Sequence, residues 1–126
     1  MIFSGWLEGE PRREAIRGAA LLAQPSRQEN FALAVVEAMA AGVPALVSPE
    51  VNLASAVQAA GAGWVSRPGP AALAGALRLA MRDEAERAVR GAAARDLVRR
   101  HYTWPAVAEA LAGLYERLLA GRTEAA

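Results

Sequence analysis

The sequence contains no cysteine and no lysine, and it has a single histidine. Without cysteine there is no disulfide, no thiolate nucleophile and no thiolate metal site, and nothing calls for an oxidising compartment. Without lysine, a phosphate-binding lysine cannot come from within the chain. All 14 basic residues are therefore arginine, which together with the abundant alanine reads as a compositional bias and not as an RNA-binding signature. The lone histidine, His101, sits beside Tyr102 at a helix end, where a cation is favoured. A general base needs a positioned partner and the sequence supplies none, so His101 reads as structural or solvated. No uncharged apolar run approaches the roughly 18 residues a spanning helix needs. The segment Met1-Ile2-Phe3-Ser4-Gly5-Trp6-Leu7-Glu8 lacks the basic region and long apolar core of a secretory signal, so a cytoplasmic location is expected. A formal net charge of +1 is too near neutral to indicate a nucleic-acid partner. No cluster has metal-ligand spacing, and neither a metal nor another cofactor is expected.

What is present suits one globular domain with a modest core: 126 residues, 54% hydrophobic and 21% charged. Met1 to Ser4 reads as a short strand and Pro11 to Arg17 as a short helix, since proline is tolerated in a first turn. Ala19 to Ala23 is a brief apolar run stopped by Gln24-Pro25, the pattern of a buried strand. A helix then begins near Phe31 and ends at Gly42, where glycine suits a left-handed cap. Ala45 to Ser48 reads as a second buried strand, Asn52 to Ala60 as a helix ending at Gly61, and Gly63 to Ser66 as a short strand. This rhythm predicts an α/β fold, a parallel Rossmann-like half-sheet flanked by helices over residues 1–66. After the Arg67-Pro68-Gly69-Pro70 turn the periodicity is helical throughout residues 70–120. Leu73, Leu77 and Ala80-Met81 mark one helix and Ala85 to Arg100 another. Val107, Leu111, Leu114 and Leu118 mark a last one beginning near Pro105.

The chemistry concentrates in Glu29 to Pro44. From Phe31 to Ala41, Glu37 is the only side chain able to form a strong hydrogen bond. Its neighbours three and four positions away are Leu33, Ala34, Ala40 and Ala41, so no base on the same helix can pair with it. A lone carboxylate needs a partner, since burying it unpaired costs several kcal/mol. The partner is either a tertiary base, Arg27 for example, or a ligand donor. Gln28, Glu29 and Asn30 fall at the expected helix start, where unpaired N–H groups and the dipole favour anions. Glu37 follows Glu29 by about two turns of roughly 3.6 residues. The arrangement can offer N–H groups to a diphosphate and two carboxylates to sugar hydroxyls. Glu29 can equally be a solvated residue near a helix start.

The pattern Pro25-Ser26, Glu29, seven intervening residues, Glu37-Ala38-Met39-Ala40-Ala41-Gly42 and Pro44 resembles retaining nucleotide-sugar glycosyltransferases of the GT-B fold, the group 1 or family 4 type. Phe3-Ser4-Gly5-Trp6, Gly61-Ala62-Gly63-Trp64-Val65, Tyr102-Thr103-Trp104 and Leu114-Tyr115 resemble further stretches of that family in the same order. The resemblance implies that Glu37 binds the ribose hydroxyls of a nucleotide-diphosphate sugar. It implies that Glu29 contacts the donor sugar as the catalytic carboxylate, in an electrostatic and positioning role. The segment Asn30, Phe31, Ala32 and Leu33 would bind the donor, with the amides of Phe31, Ala32 and Leu33 meeting diphosphate or sugar. Many relatives carry Gly-Phe-Gly where this chain has Asn30-Phe31-Ala32, and glycine allows a closer approach of ligand to backbone. The matched stretch corresponds to the second half of the family's carboxyl-terminal, donor-binding domain. The acceptor domain and the first donor-domain strands, with their basic diphosphate-binding residues, would have to come from elsewhere.

Residues 1–126 are therefore expected to form a partial donor-binding domain, inactive alone, as a fragment, a truncated product or one part of a split enzyme. The missing acceptor domain or a partner chain would complete it. The alternative is a non-enzymatic interaction module derived from a decayed glycosyltransferase, self-associating through an open sheet edge and its last helix. An unrelated flavodoxin-like domain is a third reading, which leaves Glu37 unexplained. The arginines between Arg78 and Arg100 are interrupted by Asp83, Glu84, Glu86 and Asp96, so a solvated helical face is expected there and membrane contact is not indicated. Trp6, Trp64 and Trp104 read as packing anchors, with Trp64 in the core.

Overall fold

The computed structural model describes residues 2–123, with side chains through Ala120. The chain runs α1 (Gly9–Arg17), β1 (Leu22–Gln24), α2 (Leu33–Ala40), β2 (Ala45–Val47), α3 (Ala54–Ala59) and β3 (Gly63–Val65). Three helices follow: α4 (Pro70–Arg82), α5 (Glu84–His101) and α6 (Trp104–Thr123). The strands form one parallel sheet in the order β1-β2-β3, with Leu22 opposite Ala45 and Ala45 opposite Gly63.

The central strand explains the layers. Successive strand residues point to opposite faces. Ala45 and Val47 join a core with Val35, Val36 and Met39 of α2, Val57 of α3, and Ala94 and Val98 of α5. Leu46 faces the other way, into a smaller cluster with Trp64 and Ala80 that Leu73 and Leu77 of α4 complete. All three β2 residues are buried because both faces are covered, which is why this strand reads as a continuous apolar run.

The α5 helix closes the larger core by packing on α2 at very short range. A Cβ built on Gly91 would overlap the carbonyl oxygen of Gly42. Gly42 itself has φ +84°, a left-handed conformation beyond the end of α2 that glycine adopts without penalty. The Arg95 guanidinium donates to the Ala41 carbonyl at 2.9 Å and so caps the end of α2 from α5. Glycine inside a helix normally costs about 1 kcal/mol against alanine, but here the overlap decides the sign. Gly91→Ala is expected to lower stability by about 1–2 kcal/mol, the overpacking cost exceeding the propensity gain, as measured by urea denaturation. On the other flank, Arg90 ties α5 to β3. Its guanidinium donates to the Gly63 carbonyl at 2.6 Å, lies 4.5 Å from the Trp64 ring centroid and pairs with Glu86.

Several expectations are corrected. Residues 2–8 precede α1 without strand structure, and Met1 lies outside the described residues. Ile2, Phe3 and Trp6 are exposed, because β1 forms the sheet edge and no further strand among the described residues pairs with it. The first strand is Leu22–Gln24, three residues later than the start of the apolar run at Ala19, and it is only half buried. Its edge position leaves it partly uncovered. Trp6 and Trp104 anchor no packing, at 87% and 88% exposure, whereas Trp64 is buried as expected. The α2 helix begins at Leu33, after Phe31, and the last helix at Trp104, one residue before Pro105.

Candidate functional site

The loop of residues 25–32 leaves the carboxyl end of β1 and enters α2. Its backbone is stitched to the loop that leaves β2. Glu29 and Val51 form a parallel bridge, with Glu29 N–H donating to the Glu50 carbonyl at 3.4 Å and Asn52 N–H to the Glu29 carbonyl at 3.2 Å. The buried Ser48 hydroxyl donates to the Ser26 carbonyl. The Asn52 amide also donates to Asn30 Oδ1 at 3.3 Å, and Gln24 Nε2 donates to Glu29 Oε2 at 3.0 Å. Phe31 packs edge-to-face on Tyr102, ring centroids 6.0 Å apart, which ties the loop to the end of α5. Glu29 and Asn30 thus sit on a braced loop beyond the sheet's carboxyl edge, not on the first turn of a helix. The two-turn spacing expected between Glu29 and Glu37 does not hold, because the chain bends at Ala32 between them.

Ala32 makes that bend. At φ 56° and ψ 58° it is the one non-glycine residue with positive φ among the described residues, and it is buried. The left-handed conformation costs an L-residue roughly 1–2 kcal/mol. The geometry demanded here is one that glycine adopts freely, and this is the last position of the glycine-bearing tripeptide in the resembled family. Ala32→Gly is expected to raise stability by about 1 kcal/mol, offset in part by the greater freedom of the unfolded chain, as measured by chemical denaturation. A fall in stability would mean that the buried methyl matters more than the strain. As the residue preceding α2, Ala32 has no side-chain acceptor to cap the helix. The N–H groups of Phe31, Ala32 and Leu33 donate to no backbone carbonyl among the described residues.

Glu37 lies one turn inside α2. It is not immersed in an apolar interior: it faces a groove between α1 and α2 of about 550 Å³, lined by Arg12, Arg13, Ile16, Ala40 and Ala41 among others. Its carboxylate pairs with the Arg12 guanidinium of α1, the two side chains being 34% and 44% exposed. Arg12, and not Arg27, is the tertiary base. Sequence spacing alone does not reveal this pair, because its members stand 25 residues apart on different helices. Arg13 and Arg17 are engaged by Glu10 of their own helix. Among the described residues no group of three or more His, Asp or Glu side chains gathers as a metal site would, and no helix is long and apolar enough to cross a membrane.

The arrangement presents a helix start with open N–H groups and a braced carboxylate before it, both beyond the carboxyl edge of a parallel sheet, and a second carboxylate one turn along α2 facing the groove against α1. Brackets of this kind receive anionic and polyhydroxylated ligands in open α/β sheets. Comparison with known proteins identifies the family. The family model of glycosyl transferases group 1 matches residues 1–97. Among solved structures the chain is similar to a sucrose-phosphate synthase from Thermosynechococcus elongatus, with a TM-score of 0.80 and 30% identity over 95% of this chain and 30% of that one. It is also similar to WaaG, a glycosyltransferase involved in lipopolysaccharide biosynthesis, with a TM-score of 0.60 and 29% identity over 66% of this chain and 23% of that one. The chain thus spans less than a third of the length of either protein. No curated protein matches it significantly. The family match covers most of the sequence, and the chain belongs to the glycosyl transferases of group 1, with the half-sheet and following helices of a GT-B fold.

Proposed function

We propose that this chain is the nucleotide-sugar donor-binding portion of a retaining glycosyltransferase, catalytically incomplete without an acceptor domain or a partner chain. In this reading residues 1–66 form the α/β part and residues 70–120 the helical part of one partial donor domain, working in the cytoplasm. The observation that supports it best is the open start of α2, with unpaired N–H groups at Phe31, Ala32 and Leu33 and Glu37 one turn further on. The diphosphate takes the N–H groups, where the helix dipole also favours it. Glu37 accepts hydrogen bonds from the ribose hydroxyls, and Asn30 borders the donor.

Glycosyl transfer breaks the bond between the anomeric carbon and the diphosphate oxygen and joins that carbon to the oxygen of an acceptor hydroxyl, whose proton passes to the departing diphosphate. The departing diphosphate keeps the electron pair, and positive charge develops on the sugar. Fixed donors at the helix start stabilise the leaving group, and a nearby carboxylate steadies the sugar cation. Glu29 suits the second task because the bridge to Val51 and the Gln24 amide hold it in place. Its role is electrostatic and positioning.

Calorimetric titration with UDP-glucose, ADP-glucose and GDP-mannose tests the reading. Saturable binding of at least one donor is expected, with no sugar transfer to water at enzyme-like rates. Failure of all three to bind would sink the donor site, and rapid turnover by the chain alone would sink its incompleteness.

A second reading draws on a different observation. Val107, Leu111, Leu114 and Leu118 of α6 form a stripe at helical spacing that stays about half exposed. Such a face suits a non-enzymatic interaction module that pairs with another chain. Light scattering over a concentration series separates the two in part, since a strict monomer at high concentration argues against pairing between copies.

A further inference from the structure

The Arg12–Glu37 pair occupies the very carboxylate that the donor-binding reading assigns to ribose. We propose that Arg12 is a latch: its guanidinium holds Glu37 in the unliganded chain, and a vicinal diol must displace it to bind. The inference rests on that reading and adds to it a residue that tunes affinity.

Four observations converge on it. Arg12 engages Glu37 through Oε2, so a vicinal diol that takes one hydroxyl to each carboxylate oxygen meets the guanidinium at that atom and shares its acceptor capacity and charge there. The pair is more than a third exposed on both sides, and ion pairs so hydrated are weak enough for a ligand to break. Arg13 and Arg17 are held by Glu10, which leaves Arg12 as the α1 arginine that turns to α2. Finally, α1 buries none of its residues and the groove beside the pair encloses about 550 Å³. A released guanidinium therefore has solvent and space to move into without disturbing the core.

Neutral nucleosides isolate the effect, because they carry the diol without phosphate charge. Uridine, adenosine and guanosine are titrated by NMR into the wild-type chain and the variants Arg12→Ala, Arg12→Lys, Glu37→Gln and Arg12→Ala/Glu37→Gln, each shown to be folded by its thermal melt. Arg12→Ala is expected to bind nucleoside about 3–5-fold more tightly than wild type, the range set by the strength of an exposed pair. Arg12→Lys should return affinity toward wild type. The gain should shrink at high salt, which screens the pair in the wild type, and should vanish when Glu37 is already glutamine. A purely structural role for Arg12 would move neither the salt dependence nor the double-variant comparison. Equal or weaker binding by Arg12→Ala, with Glu37→Gln still impaired, would overturn the latch and leave the donor-binding reading standing. Nucleoside binding to none of the five proteins would overturn both.

Discussion

Truncating Met39 to alanine is expected to lower the stability of this chain by about 2–5 kcal/mol, the range for deleting a large side chain from a close-packed core. Met39 is completely buried in the middle of α2, in the cluster that joins α2 to the sheet, α3 and α5. Its neighbours there are mostly valine and alanine, short side chains that cannot reach into the space left behind, so the cavity term stays near its full size. Against a total stability of about 5–15 kcal/mol, such a loss would shift the melting midpoint down by roughly 10–20 °C. Calorimetry or circular dichroism against temperature checks it. A shift of only a few degrees would mean that α2 is not the central support of the fold. Because Met39 stands half a turn from Glu37 on the same helix, nucleoside affinity should fall in this variant only as far as folding does.

Glu37→Gln is expected to do the reverse, removing binding while leaving the fold. The glutamine keeps the shape of the side chain but loses the charge and one acceptor. Hydrogen bonds to a charged partner are worth about 1.5–3 kcal/mol, so nucleotide affinity should drop about 10–100-fold. The cost to folding is small for a reason visible in the geometry. The Arg12 pair is hydrated on both sides, and such pairs contribute at most about 1 kcal/mol. A fully buried pair would cost about 3–5 kcal/mol when one partner is removed. Unchanged affinity together with a large drop in melting temperature would assign Glu37 a structural role. Titration of the variant beside its thermal melt gives both readouts on one sample.

The parts of this fold that were legible in the sequence are those where local pattern and tertiary environment agree. Ala45–Val47 is covered on both faces, so its burial appears as an unbroken apolar run. Gly42, Gly61 and the Arg67–Pro70 turn end elements by backbone preference alone, and the helical period after Pro70 needs no knowledge of what the helices touch. The misread parts depend on neighbours. A strand over residues 2–4 has the composition of one but finds no partner strand among the described residues, and β1 is half exposed because it is an edge. Trp6 and Trp104 have aromatic rings suited to a core, yet no core lies beside them. At the site, the order Glu29 to Glu37 was legible, while the bend at Ala32 was hidden because alanine rarely signals positive φ. Arg12 was hidden for a different reason: its contact spans two helices, and periodicity within either one says nothing of it.

The most direct test of the account is amide chemical-shift mapping of the isotopically labelled chain during titration with UDP, ADP and GDP. Donor binding at the start of α2 predicts that the largest changes fall on Phe31, Ala32, Leu33 and Glu37, with smaller ones along α1 as Arg12 is released. Changes confined to α6, or no changes with any of the three, would contradict the claim that this chain carries a nucleotide-sugar site.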